Sequence, residues 1–284
     1  MNAFELKEVK KSYPGFDLQL DLSLPQGCIL GLIGENGAGK STTIKLLLGM
    51  THADAGSITV LDRPVDESFP PVREEIGVVL DEPAYPECLT AKQVGGIMAG
   101  IFRNWDAAEY EALLQKLDIP TDKKFKDFSR GMKMKLSIAV ALAHKARLLV
   151  LDEPTSGLDP VVRDEVVELF SEFTRDETHS VLISSHIVSD LEKICDYVAF
   201  LHKGQLLLCK EKDKLLEEYG LALCTREQLE SLPVTAVAGT QESLFGVTAL
   251  IRREEAPEDL AVIPVGLEDL FVTMVKGVEK WKDF

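Results

Sequence analysis

The chain is poor in positive charge. Against 47 aspartates and glutamates it sets 31 lysines and arginines in 284 residues, a formal net charge of −16 with a pI near 4.8. Such a field repels polyanions, so a general nucleic-acid binder is excluded. One basic cluster runs against the trend: Lys123, Lys124, Lys126, Arg130, Lys133 and Lys135. It reads as a solvated helix surface or a docking surface. Cysteine is scarce too. The five residues Cys28, Cys88, Cys195, Cys209 and Cys224 form no C-x-x-C pair, and their number is odd. That argues against a disulfide framework and a zinc site, and for a reduced, cytosolic setting. Long apolar runs are missing as well. None reaches the ~18 residues that a membrane helix needs, and the longest, residues 136–143, stops at His144-Lys145. Residues 1–14 are charged and lack an apolar h-region, so no signal peptide is expected. If the protein works at a membrane, another chain must supply the span.

What is present is a phosphate-binding motif. Gly34-Glu35-Asn36-Gly37-Ala38-Gly39-Lys40-Ser41-Thr42 has the form G-x-x-x-x-G-K-[ST]. Glycines let the backbone curl so that successive N–H groups converge on a di- or triphosphate. Lys40 adds a point charge for the β/γ-phosphates, and the Ser41 hydroxyl suits Mg²⁺. The apolar run Cys28-Ile29-Leu30-Gly31-Leu32-Ile33 precedes it, as a strand buried on both faces should. Residues 43–50 read as the first turns of a helix whose N-terminus favours phosphate. A second site element is Leu148-Leu149-Val150-Leu151-Asp152-Glu153, an apolar strand ending in two carboxylates. Paired with the P-loop, Asp152 would hold the Mg²⁺ shell and Glu153 would activate the attacking water.

Taken in order, residues 4–9 read as a strand, and Leu18, Leu20, Leu22 and Leu24 alternate with polar residues at the strand period. Residues 57–61 and 76–80 are further strands. Residues 84–145 form a helical insert, with Ala107, Tyr110, Leu113, Leu114 and Leu117 on one helix face and a second helix over 132–144. Residues 160–174 read as a helix with Pro160 near its start. Residues 180–186 make a strand ending in His186, and 197–201 with 205–209 a hairpin through Lys203-Gly204. Beyond residue 210 come a charged helix, a small mixed α/β stretch over 221–265, and an amphipathic end helix through Leu267, Leu270, Phe271, Met274 and Val275. The expected fold is α/β: a RecA-like P-loop NTPase core with an antiparallel β arm. Residues 1–209 form the nucleotide-binding domain, with the helical insert at about 84–145, and 210–284 are a small C-terminal extension.

Two further stretches carry a family resemblance. Phe128-Ser129-Arg130-Gly131-Met132 resembles the L-S-G-G-Q signature of ATP-binding-cassette (ABC) ATPases, and Ser156-Gly157-Leu158-Asp159 resembles their D-loop. With the P-loop, Asp152-Glu153 and His186 they stand in family order over roughly residues 4–209. Asn104-Trp105-Asp106, the Phe-Ser-Arg-Gly-Met form and the tail Leu267-Glu268-Asp269-Leu270-Phe271 are most similar to ATPase subunits of bacterial ABC-2-type exporters, antibiotic-resistance ones included. The resemblance implies an ATP-hydrolysing motor subunit using ATP and Mg²⁺. Tyr13 would stack on adenine, Ser129, Gly131 and Asp159 would meet nucleotide held by a second subunit, and His186 would sense the γ-phosphate. Two ATP-binding subunits, identical or different, would sandwich two ATPs head to tail and drive a separate transmembrane permease subunit. The complex would place this chain in the cytoplasm, peripheral on the inner face of the cell membrane, with no nucleic-acid partner. Where the family has a glutamine beside the metal, this chain has Asp81-Glu82; either carboxylate could be its counterpart, and Asp81 is taken as the third expected Mg²⁺ contact. The alternatives are a non-transport ABC ATPase acting on chromosomes or ribosomes, and a P-loop kinase or GTPase. The first would carry a long coiled coil or a second cassette, and the last would not need the signature or D-loop.

Overall fold

The computed structural model describes residues 1–82, 85–243, 246–257 and 260–281. The expected start of the helical insert at residue 84 and the last three residues of the extension lie outside them.

The chain opens with β1 (Asn2–Tyr13) and β2 (Phe16–Pro25), then β3 (Ile29–Gly34), α1 (Lys40–Leu47), β4 (Ala55–Val60), β5 (Arg63–Pro64) and β6 (Ile76–Val79). The insert holds α2 (Ala91–Ile101), α3 (Ala107–Lys116) and α4 (Arg130–Ala143). Next come β7 (Leu148–Asp152), α5 (Pro160–Phe173), β8 (Ser180–Ser185), α6 (Val188–Ile194), β9 (Tyr197–His202) and β10 (Gln205–Glu211). The remainder is α7 (Lys212–Glu218), β11 (Tyr219–Cys224), α8 (Arg226–Ser231), β12 (Val237–Ser243), β13 (Gly246–Arg252), β14 (Val262–Ile263) and α9 (Leu267–Trp281).

One sheet carries the order β5-β4-β1-β2-β10-β9-β3-β8-β7-β6. Its parallel part centres on β3, which pairs β8 and β9, while β7 pairs β8 and β6. β3, β7 and β8 are buried at every position, which is why their sequences are continuous apolar or small-residue runs without alternation. The antiparallel arm behaves differently. In β2 the leucines at 18, 20, 22 and 24 are buried and Gln19 and Asp21 are exposed. β1 runs past the expected 4–9 to both sides because it is paired along both edges, with β2 and with β4. A bulge at Glu8, φ 49°, breaks its alternation, so pattern alone shortens it. The β9–β10 connection is the expected Lys203-Gly204, with φ of 46° and 78°. A Cβ at residue 204 would lie 1.8 Å from the Asp17 carbonyl oxygen, so only glycine fits.

The insert helices are fixed by their caps. Thr90 and Gln93 close a reciprocal capping box on α2. Asp106 accepts from Glu109 N at 3.1 Å on α3, and Ser129 Oγ accepts from Met132 N at 3.2 Å on α4. At the other end of α4, buried His144 stacks on Phe102 with centroids 4.1 Å apart. Its Nδ1 faces the Val140 carbonyl at 3.0 Å and its Nε2 the Ile76 carbonyl at 3.2 Å, which joins the helix to the start of β6. Burial holds its pKa below the ordinary 6.5, against the pull of the two carbonyls. The folded state therefore favours the neutral ring, whose single N–H serves one of the two carbonyls at a time. As pH falls through the unfolded value the unfolded chain takes up the proton first, and stability is lost. Between pH 7.5 and 5.5 the urea midpoint of His144→Gln, which does not titrate there, should fall less than the parent's. Parallel slopes would remove His144 from the pH response.

Contacts divide the chain into two units: Met1–Ile187 with Tyr197–Cys209, and Val188–Asp196 with Lys210–Phe284. The second unit has its own antiparallel sheet, β12-β13-β11-β14, and a small core from Ala222, Cys224, Leu232, Ala249 and Ile251. Within it the Leu267 amide donates to Glu192 Oε2 at 3.3 Å, and Lys212 Nζ donates to the Glu192 carbonyl at 2.8 Å. These bonds tie α6 to α7 and α9.

Candidate functional site

The phosphate loop follows from its strand. β3 ends at Gly34, and six residues later Lys40 opens α1. Gly39 between them has φ 113°, where a Cβ would lie 2.7 Å from Leu18 Cδ1 and 3.1 Å from Phe16 Cζ. The P-loop thus turns against the antiparallel arm. Lys40 Nζ, almost wholly buried, donates to the Gly34 carbonyl at 2.7 Å and reaches the Glu35 carbonyl at 3.4 Å. Folded back in this way, its ammonium points into the loop it belongs to.

Beside the loop lies a cavity of about 460 Å³. It is lined by Glu35, Asn36, Gly37, Gly39, Lys40, Ser41 and Thr42 of the loop and helix start, together with Phe16, Asp81, Asp152 and Glu153. Asp152 ends buried β7 and is fixed by the neighbouring strand, since Ser184 Oγ donates to its Oδ1 at 2.6 Å. The Glu153 amide donates back to the Ser184 carbonyl at 3.1 Å and approaches Ser184 Oγ at 3.2 Å. These bonds hold Glu153 at φ 52°, the left-handed region, where a non-glycine residue carries strain of about 1–3 kcal/mol. The turn aims its carboxylate at two partners: Lys40 Nζ lies 3.4 Å from Oε1, and His186 Nδ1 lies 2.6 Å from Oε2. An ionised carboxylate only accepts, so in this contact His186 is the donor, through Nδ1.

The structure therefore brings together Lys40, Ser41, Thr42, Asn36, Gly37 and Gly39 with Asp81, Asp152 and Glu153, and brings His186 to Glu153. Gly34 contributes its carbonyl to Lys40. Other expected residues do not reach this cavity. Ser129 and Asp159 are N-caps, of α4 and α5, and Gly131 lies in the first turn of α4. A Cβ on Gly131 would meet Leu158 Cδ2 at 3.4 Å, which puts the signature start beside the D-loop. Tyr13 is 40 % exposed with Lys11 Nζ over its ring, and the aromatic in the cavity wall is Phe16, its cross-strand partner. Phe16 escaped sequence reasoning because a hairpin turn separates the two rings, and only register tells which one faces the loop. Ser184 escaped it as well, although its hydroxyl donates to the Asp152 carboxylate and accepts from the Glu153 amide. Asp81 carries an ion pair, Arg130 Nη2 at 2.8 Å from its Oδ1.

Chemically the arrangement offers a curled loop and cation for a polyphosphate, oxygen donors suited to a hard cation, and a carboxylate–imidazole pair able to take a proton. Ser41 and Asp152 supply donors of the right kind for Mg²⁺ at the cavity surface. Among the described residues there is no cluster of three or more His, Cys, Asp or Glu side chains able to hold a metal ion by itself.

The family model described as "ABC transporter" matches residues 18–156. The ABC transporter ATP-binding protein YtrB of Bacillus subtilis (strain 168) is 30% identical over 293 residues, covering 98% of this chain and 99% of the relative. The lantibiotic transport ATP-binding protein SrtF of Streptococcus pyogenes is 36% identical over 216 residues, 74% of this chain and 91% of that one. Among solved structures, a dimeric post-hydrolysis state of the ATP-binding cassette MJ0796 bound to ADP and Pi superimposes with a TM-score of 0.65. It is 19% identical and covers 73% of this chain and 98% of that one.

Proposed function

The chain belongs to the ATP-binding, ATP-hydrolysing subunits of ABC transporters, and from that premise we propose that it is the motor of an exporter working as a head-to-tail pair of ATP-binding subunits. One observation carries the pairing. The cavity holds the P-loop, Asp152 and Glu153, whereas Ser129, Gly131 and Asp159 lie outside its walls in the same chain. Ser129 and Gly131 at the start of a 14-residue helix form a second anion-binding element that needs a nucleotide from elsewhere. A second subunit presenting its own cavity meets that need, and reciprocity gives two ATPs in one sandwich. That the matched cassette is described as dimeric supports this reading.

Within each site Lys40 and the loop amides hold the β/γ-phosphates, and Phe16 with Tyr13 near it offers the aromatic surface for the base. Glu153 takes the proton of the attacking water, and His186 holds that carboxylate in place through Nδ1. Ser41 and Asp152 would hold Mg²⁺, which when bound offsets charge on the phosphates. Among the described residues no helix is long and apolar enough to cross a membrane. A separate permease supplies the span, and this subunit sits against the cytoplasmic face of the membrane. SrtF, by its name, serves lantibiotic transport, which favours an exporter here.

The test is retrieval of the complex. A tagged chain recovered from detergent-solubilised membranes of its own cells should bring down an integral membrane protein with several spans, and that partner should change its ATPase rate. Recovery of ribosomal or chromosomal proteins instead would defeat the transport reading.

A further inference from the structure

The charge in the cavity wall does not suit its proposed occupant. Four acidic residues, Glu35, Asp81, Asp152 and Glu153, line it, and Lys40 is the one Lys or Arg among its lining residues. Lys40 is already balanced, 3.4 Å from Glu153. A polyphosphate would meet net negative charge. The compensation comes from outside the lining. Arg130, the first residue of α4, reaches across 49 residues of sequence and places Nη2 2.8 Å from Asp81 Oδ1. The same nitrogen lies 3.4 Å from Ser156 Oγ, and a Cβ on Gly157 would fall 3.2 Å from Nη1 and 3.3 Å from Cδ and Cζ. The guanidinium is therefore seated on the bare backbone of the segment that follows Glu153, with its fork turned to Asp81. Three pieces meet there: the segment after β6, the start of α4, and the turn leaving β7.

We propose that Arg130 is a positioning residue for nucleotide binding, acting through Asp81: it pairs with a cavity carboxylate other than the one beside Lys40 and keeps that charge off the phosphates. The proposal rests on the reading of the cavity as a nucleotide site. Asp81 then serves as the partner of Arg130 and not as a metal ligand, and the two residues are one unit.

The test is equilibrium titration of the full chain with ATP in excess EDTA, so that metal plays no part, in parent, Arg130→Ala, Asp81→Asn and the double variant. Arg130→Ala exposes the Asp81 charge and should bind ATP about three- to fivefold more weakly at low salt, the scale of a half-exposed ion pair, with the difference shrinking at high salt. Asp81→Asn removes the charge itself and should not weaken ATP binding as Arg130→Ala does, and adding Arg130→Ala to it should change nothing further. A clamp with a merely structural role would weaken binding equally when cut at either end, and that outcome overturns the proposal. So does an equal loss from Arg130→Ala in both backgrounds, which would mean a direct contact with nucleotide. If the parent binds ATP and Arg130→Ala binds as well, only the pairing fails. If the parent does not bind, the nucleotide reading fails and takes this proposal with it.

Discussion

Glu153→Gln should bind ATP close to the parent's affinity and hydrolyse it some 10²–10⁴-fold more slowly, the range lost with a general base. The amide has nearly the carboxylate's shape, so β7 and the turn after it keep their course. It does not accept a proton near neutral pH, so water stays inactive. The substitution also changes what His186 and Lys40 meet. His186 Nδ1 now faces an amide, whose oxygen still accepts, and Lys40 Nζ loses its counter-charge at 3.4 Å. That freed cation favours phosphate, which is why binding is expected to survive. If the head-to-tail pairing is right, ATP should hold this variant as a dimer, because opening requires loss of the γ-phosphate that Lys40 of one chain and Ser129 of the other share. Sizing with light scattering should show dimer with ATP and monomer when Ser129 is also made bulky. With a net charge of −16 on each chain, low salt should weaken the dimer. Hydrolysis at the parent rate would remove Glu153 as the base. A variant that stays monomeric with ATP, even with its membrane partner added, would sink the head-to-tail reading.

Lys40→Ala should lose ATP affinity by about tenfold to a hundredfold, since a hydrogen bond to a charged group contributes about 1.5–3 kcal/mol. Two effects add. The phosphates lose their cation, and Glu153, mostly buried beside it, is left facing them without a counter-charge. The core should be spared, because the partners of Lys40 are the Gly34 and Glu35 carbonyls of its own loop and the Glu153 carboxylate in the cavity wall. Lys40→Met keeps the aliphatic stem and separates lost packing from lost charge. The check is equilibrium titration beside a denaturation curve, and unchanged affinity would defeat the assignment of the P-loop.

How much of this could be read from sequence depended on whether a signal was local. The P-loop, the carboxylate pair and the helix over α5 are runs of neighbours, and each lies where its pattern put it. β3 and β7 were legible because burial on both faces leaves an unbroken apolar run. The aromatic wall was not, since Tyr13 and Phe16 differ by register across a turn. Nor was Asp81: its partner Arg130 stands 49 positions away and only the packing of α4 brings them together. In the second unit β14 is two residues long, too short for any period to show. α6 had no pattern that would group it with residues beyond 210, and only bonds such as that from the Leu267 amide to Glu192 do so.

The backbone at Glu153 has an evolutionary corollary. With φ at 52°, glycine or asparagine would suit the position better than glutamate does, by about 1 kcal/mol. A library of variants sorted for heat resistance should collect those two residues there, while one sorted for turnover should keep glutamate. Where the two selections part along the chain, they would mark the reacting group without any substrate being known.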